Sequence, residues 1–142
     1  MKTWILGIWL GVQGCTDFKY KEIPLWISIL GIVTGIIFCF VEKRSLDSIF
    51  LACIPGLLAL AFAKISKEVM GYGDGITLLA MGTFITLEQL ISVGMIAFSM
   101  AGVVALVLLV FFRKGGSYRL PFIPFLCAAY ILECSMRLGG GI

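Results

Sequence analysis

The chain has 142 residues, 61% of them hydrophobic and 13% charged, with a mean hydropathy of +1.10 and a net charge of +3. This hydropathy excludes an ordinary soluble globular domain, and so small a scattered charge excludes a nucleic-acid-binding surface. The expected class is all-α: a polytopic membrane protein with a single membrane-embedded domain over residues 1–142, since roughly six spans of about 20 apolar residues fill the chain.

Residues Thr3 to Thr16 form a short first apolar segment. Its ending, Val12-Gln13-Gly14-Cys15, imitates a lipoprotein cleavage site. The single basic Lys2 and the poor cleavage residue Gln13 argue for a retained first helix instead. Asp17 to Glu22 is a polar loop, and Ile23-Pro24 opens a second span, Leu25 to Val41, because proline suits a helix head whose N–H is unpaired anyway. After the polar break Glu42 to Asp47 comes a third span, Leu46 to Ala63, loosened by Pro55-Gly56. Lys64 to Asp74 makes the next loop, and a short fourth span covers Gly75 to about Leu87. Span five, Gln89 to Phe112, is the longest. Arg113 to Arg119 is a basic loop, and Pro121 and Pro124 shape the head of span six, about Leu120 to Met136. The glycine pairs Gly7/Gly11 and Gly31/Gly35 are spaced for close helix packing.

Lysine and arginine distribute unevenly between the two sides. Lys19, Lys21, Lys64, Lys67, Arg113, Lys114 and Arg119 fall on one side, and Lys2, Lys43, Arg44 and Arg137 on the other. By the positive-inside rule the richer side is cytoplasmic, so both termini are expected outside a plasma membrane. The five cysteines lack a C-x-x-C pair and read as small packing residues, and there is no histidine. Acid–base chemistry therefore falls to aspartate and glutamate, and no cofactor or metal is expected.

That topology brings Asp17, at the end of span one, and Asp74, in Gly71-Tyr72-Gly73-Asp74-Gly75, to the same side at similar depth. Singly, each has a bland reading: Asp74 as a helix N-cap after a glycine turn, Asp17 as a solvated boundary residue. Together they have a chemical one. Two adjacent carboxylates share a proton, so that one activates water while the other protonates a carbonyl oxygen. Gln13, one helical turn before Asp17, is placed to orient its carboxylate. Gly71 and Gly73 keep side chains away from an approaching peptide backbone. Tyr72, Tyr118 and Tyr130 read as interfacial or packing aromatics.

In three blocks the chain resembles the type IV prepilin peptidase family, membrane aspartic proteases of the GxGD kind, in its short form. Asp17 with Ile23-Pro24 resembles that family's first aspartate and I-P pair. Gly71-Tyr72-Gly73-Asp74 resembles its G-x-G-D box, and Pro121-Phe122-Ile123-Pro124-Phe125 its P-F-x-P segment. The resemblance implies that Asp17 and Asp74 are a catalytic pair cleaving the leader of prepilin-like proteins at the cytoplasmic face. Leu25 and Ile76 stand where asparagine and lysine are common, departures that bear on substrate preference. Longer relatives carry a cysteine-rich N-terminal part and methylate the new N-terminus, so peptidase activity without methylation is expected here. Glu22 and Glu68 would steer a basic leader, or are ordinary solvated loop charges. With Gly71, Gly73 and Gln13 they make up the candidate substrate-binding set. The expected partners are a prepilin-like substrate and the lipid bilayer. Alternatives are a related intramembrane or preflagellin-type protease with another substrate, and a non-enzymatic membrane scaffold or transport component. The clustering of acids at one interface, rather than at mid-span, favours the protease.

Overall fold

The computed structural model describes residues 2–20, 24–65, 71–112 and 121–140. Among them the chain forms six α-helices and no strand: α1 (Lys2–Tyr20), α2 (Leu25–Val41), α3 (Leu46–Ile65), α4 (Tyr72–Phe84), α5 (Leu87–Phe112) and α6 (Ile123–Gly139). The all-α expectation holds. Helix α3 and residues Leu87–Phe111 of α5 are each long and apolar enough to cross a bilayer, and α2 is apolar but shorter.

Several helices overrun the apolar segments that announce them. Helix α1 continues past Thr16 to Tyr20, so Asp17 is a helical residue, with Lys19 in the last turn where the helix dipole favours a cation. Helix α4 begins at Tyr72, three residues before its apolar run, and stops at Phe84. Its N-cap is Gly71 in an extended conformation, and the Asp74 N–H bonds the Gly71 carbonyl at 3.1 Å. Asp74 therefore lies in the first turn and is not the N-cap itself.

Helix α4 is the hub. Eight of its residues from Gly75 to Phe84 are buried, against α3 and α2 above all. Its approach to α3 is close because of glycines: a Cβ at Gly56 would overlap the backbone of Leu79, and one at Gly82 the carbonyl of Ala52. Gly75 likewise faces Leu60, 2.8 Å from where its Cβ would be. The expected pair Gly31/Gly35 does serve packing, but receives the Trp9 indole and the Thr83 side chain rather than a helix backbone. Gly11 meets nothing within 4 Å. On the other flank α1 packs on α6 and α6 on α5. Leu6, Leu10, Met81, Phe84, Leu90, Val93 and Leu126 fill the space between the groups.

A turn far from the aspartates anchors the other end of α4. At the close of α2 the Arg44 N–H bonds the Cys39 carbonyl and the Lys43 N–H bonds that of Phe40, with Lys43 at φ 51. These are the two bonds of a Schellman closure. They deliver the Arg44 guanidinium to the C-terminus of α4, where it donates to the carbonyls of Thr83 (3.0 Å) and Ile85 (3.2 Å). The Cys39 thiol also donates to the Thr83 carbonyl, at 2.9 Å. A cation at a helix C-terminus with two charge-assisted hydrogen bonds contributes about 1–3 kcal/mol. Arg44→Ala should lower stability by that amount in a thermal unfolding experiment, with Arg44→Lys recovering only part of it.

Candidate active site

Asp17 and Asp74 arrive at one place because α1 and α4 run antiparallel. The hydrogen bonds fix the register: Thr77 Oγ1 donates to Gln13 Oε1 at 3.0 Å. Asp17 is one turn after Gln13 in α1, and Asp74 is one turn before Thr77 in α4. A turn in each direction leads to the same end of the bundle, so the two carboxylates face the same space. Their electrostatics agree, because the Asp17 charge acts on Asp74.

The N-terminus of α6 completes that corner. The Ile123 N–H points at Asp17 Oδ2 at 3.4 Å, one of the unpaired donors of a helix start. Gly14 on α1 lies against α6 there, with Pro124 Cα 3.5 Å from where a Cβ would sit, an ordinary van der Waals separation. The segment Pro121 to Phe125 is thus beside the site, and Phe122 stacks on Phe98 of α5 with centroids 4.9 Å apart.

The carboxylates sit at the polar ends of their helices, outside the apolar segments. Asp17 is 7% exposed, and burial raises its pKa, partly opposed by the Ile123 N–H. Burial first, and the Asp17 charge second, push Asp74 up to about 7, while a backbone bond at Gly71 pulls the other way. That last contact has an acid in the third position of a helix reaching back to its N-cap, the logic of a capping box. Asp74 thus supports the start of the helix from its first turn, in place of the N-cap role the sequence suggested, while its carboxyl is pushed up to about 7.

Gln13 is fully buried, and its amide bonds Ser28 (Nε2 to Oγ, 2.8 Å) and Thr77 rather than the Asp17 carboxylate. Gly71 is exposed, and a Cβ there would lie 3.4 Å from Asp74 Oδ2, so glycine keeps the approach to that oxygen open. The Gly73 carbonyl accepts from Thr77 Oγ1 at 2.8 Å. Glu22 and Glu68 lie outside the described residues, as do Lys21, Lys67, Tyr118 and the loop Arg113 to Arg119. Tyr130 is a packing residue whose hydroxyl donates to the Thr3 carbonyl at 3.3 Å. Reading the sequence alone missed Ser28 and Thr77. Each is one of two or three hydroxyls inside its apolar run, Ser28 with Thr34 and Thr77 with Thr83 and Thr86, so nothing in the sequence marks it out.

Residues 4–107, which include both aspartates and the whole G-x-G-D box, match the sequence profile of the type IV leader peptidase family. The chain belongs to that family. No curated protein and no solved structure matches it. As a member of the type IV leader peptidase family it is a peptidase of the leader-cleaving kind. The match stops before α6, so the contact of Ile123 with Asp17 is a feature read from this fold alone.

Proposed function

We propose that this leader peptidase is an aspartic endopeptidase that uses Asp17 and Asp74 as a proton-sharing pair to cut prepilin-like substrates at the cytoplasmic face of the membrane. One observation carries the reading: two carboxylates remote in sequence converge at one end of antiparallel helices, with one raising the pKa of the other. Asp74, the more strongly raised, holds the shared proton. Asp17, ionised and facing the Ile123 N–H, takes a proton from water as the water oxygen attacks the scissile carbonyl carbon, while Asp74 protonates the carbonyl oxygen. Collapse of the resulting gem-diol breaks the C–N bond; Asp17 passes its proton to the leaving amine and the diol returns one to Asp74. No covalent intermediate and no cofactor enters the cycle. The substrate carries a basic leader ahead of an apolar helix, and the six helices span the bilayer.

The reading is tested by co-expression with a prepilin-like protein, with a mobility shift and N-terminal sequencing of the product. Uncleaved substrate at wild-type expression levels would refute it. The pH profile is a second check. A carboxyl raised to about 7 keeps its proton up to that pH, so the proton-sharing form is lost above it. Cleavage should therefore fall by about tenfold per pH unit beyond roughly 7, where an unperturbed carboxylate pair would have failed some three units lower.

A further inference from the structure

We infer that Gln13 and Thr77, tied to Ser28, form a buried clamp that sets the spacing and register of the two aspartates from one turn beneath them. The inference rests on the aspartate-pair reading above. Its starting point is how the helices are grouped. Asp17 rides on α1, which packs on α6, and Asp74 on α4, which packs on α3 and α2. The catalytic carboxylates thus belong to two groups whose shared core is apolar, and apolar contact is non-directional, so by itself it tolerates a small slide or rotation.

The polar triplet crosses that seam. Gln13 on α1, Thr77 on α4 and Ser28 on α2 are each at most 1% exposed, and their bonds run Ser28–Gln13 at 2.8 Å and Gln13–Thr77 at 3.0 Å. Any slide of α1 against α4 would strand buried donors and acceptors with no water to replace their partners, and a buried polar group left without its partner bears the full cost of its desolvation. This direction-dependent penalty is what the apolar core lacks. Gln13 lies four residues before Asp17 and Thr77 three after Asp74, so an error at the clamp passes to the carboxylates through a single helical turn.

The choice of side chains has a reason in proton counting. The Thr77 hydroxyl has one proton and two acceptors within reach, Gln13 Oε1 and the Gly73 carbonyl at 2.8 Å. When the proton goes to Gly73, the Gln13 amide turns over: Nε2 donates to Thr77 Oγ1 and Oε1 accepts from the Ser28 hydroxyl. Both arrangements keep Ser28, Gln13 and Thr77 bonded to one another, and an amide, with donor and acceptor at the same reach, serves both. The clamp stays closed in either one while the Gly73 carbonyl, in the backbone of the G-x-G-D box, is bonded in one and released in the other.

Thr77→Val keeps the shape and deletes the hydroxyl; Thr77→Ser keeps the hydroxyl. With a basic-leader substrate peptide, Thr77→Val should lower kcat about 10- to 100-fold with KM within about twofold, and Thr77→Ser should stay within about threefold of wild type. A catalysis-free readout accompanies this: in a Cys15→Ala background, an Asp17→Cys/Asp74→Cys double variant should cross-link efficiently with a short bis-methanethiosulfonate, which carries two thiol-reactive groups. Adding Thr77→Val should reduce the yield severalfold in protein that still elutes as a folded species. Wild-type kcat and unchanged cross-linking in the valine variant would overturn the clamp. If Asp17→Asn and Asp74→Asn keep cleaving, the aspartate-pair reading fails and the cross-linking alone judges the clamp.

Discussion

Asp17→Asn and Asp74→Asn should each reduce leader cleavage by ~10³-fold or more, and the double variant should be no worse than either single one. The non-additivity follows from shared work: with one carboxyl gone, the survivor can neither hold half of a shared proton nor hand it back. Cleavage is read by mobility shift against a prepilin-like substrate, and a single variant that processes it at full rate would refute the two-aspartate mechanism. Asp74→Asn should also be more thermally stable than wild type at neutral pH. The folded pKa of Asp74, about 7, exceeds the ordinary value of 3.8, so folding favours its protonated form. That contribution is full below about pH 4 and is lost as the pH rises through 7. Asparagine is neutral throughout, so melting temperatures measured at pH 5 and pH 8 should diverge at the higher value. A residue whose replacement abolishes activity and raises stability is one that the fold retains at a cost.

Gly56→Ala should be the most damaging of the conservative substitutions, by about 3 kcal/mol, with loss of folded protein on size-exclusion chromatography. The new methyl would overlap the backbone nitrogen and Cα of Leu79, and neither can rotate away as a side chain can. Relief requires α4 to move off α3, taking Asp74 with it. Gly11→Ala is the matched control. Its Cβ meets nothing within 4 Å, and alanine is the better helix former, so stability should hold or rise by up to about 1 kcal/mol. Equal losses in the two variants would show that helix propensity rather than helix approach is at stake.

Much of this was legible in the sequence. Six helices follow from six apolar runs broken by charges. Among acids that also include Glu42, Asp47 and Glu88 at helix ends, the two aspartates stand out because the topology puts both on one side and glycines flank Asp74. Helix ends were less legible. Asp17 to Tyr20 and Tyr72 to Asp74 are helical although polar, because hydropathy records the solvent preference of a segment while the backbone continues its bonds into the site. The glycines were visible but not their partners. Gly7/Gly11 has the spacing, whereas the close approach is made by Gly56 and Gly82, whose counterparts Leu79 and Ala52 lie on the other helix. The partners of Gln13 were hidden for the same reason: its neighbour in sequence is Asp17, but its bonds are to Ser28 and Thr77, a long-range outcome of how α1, α2 and α4 meet.

The helices are unequal in reach. Helix α4 has 13 residues and α5 has 26, about 20 and 39 Å of rise, against a hydrocarbon layer of about 30 Å. In the proposed membrane placement the hub is too short for its solvent and the longest helix has length to spare. α5 absorbs its excess by tilting; α4, held by Arg44 at one end and glycine-locked to α3 along its length, cannot lengthen. The leaflets must thin around it, or Asp74 must stand beneath the headgroups with water drawn down to meet it. Lipid chain length thereby becomes an input to the chemistry, since thin bilayers hydrate the carboxylates and thick ones dry them.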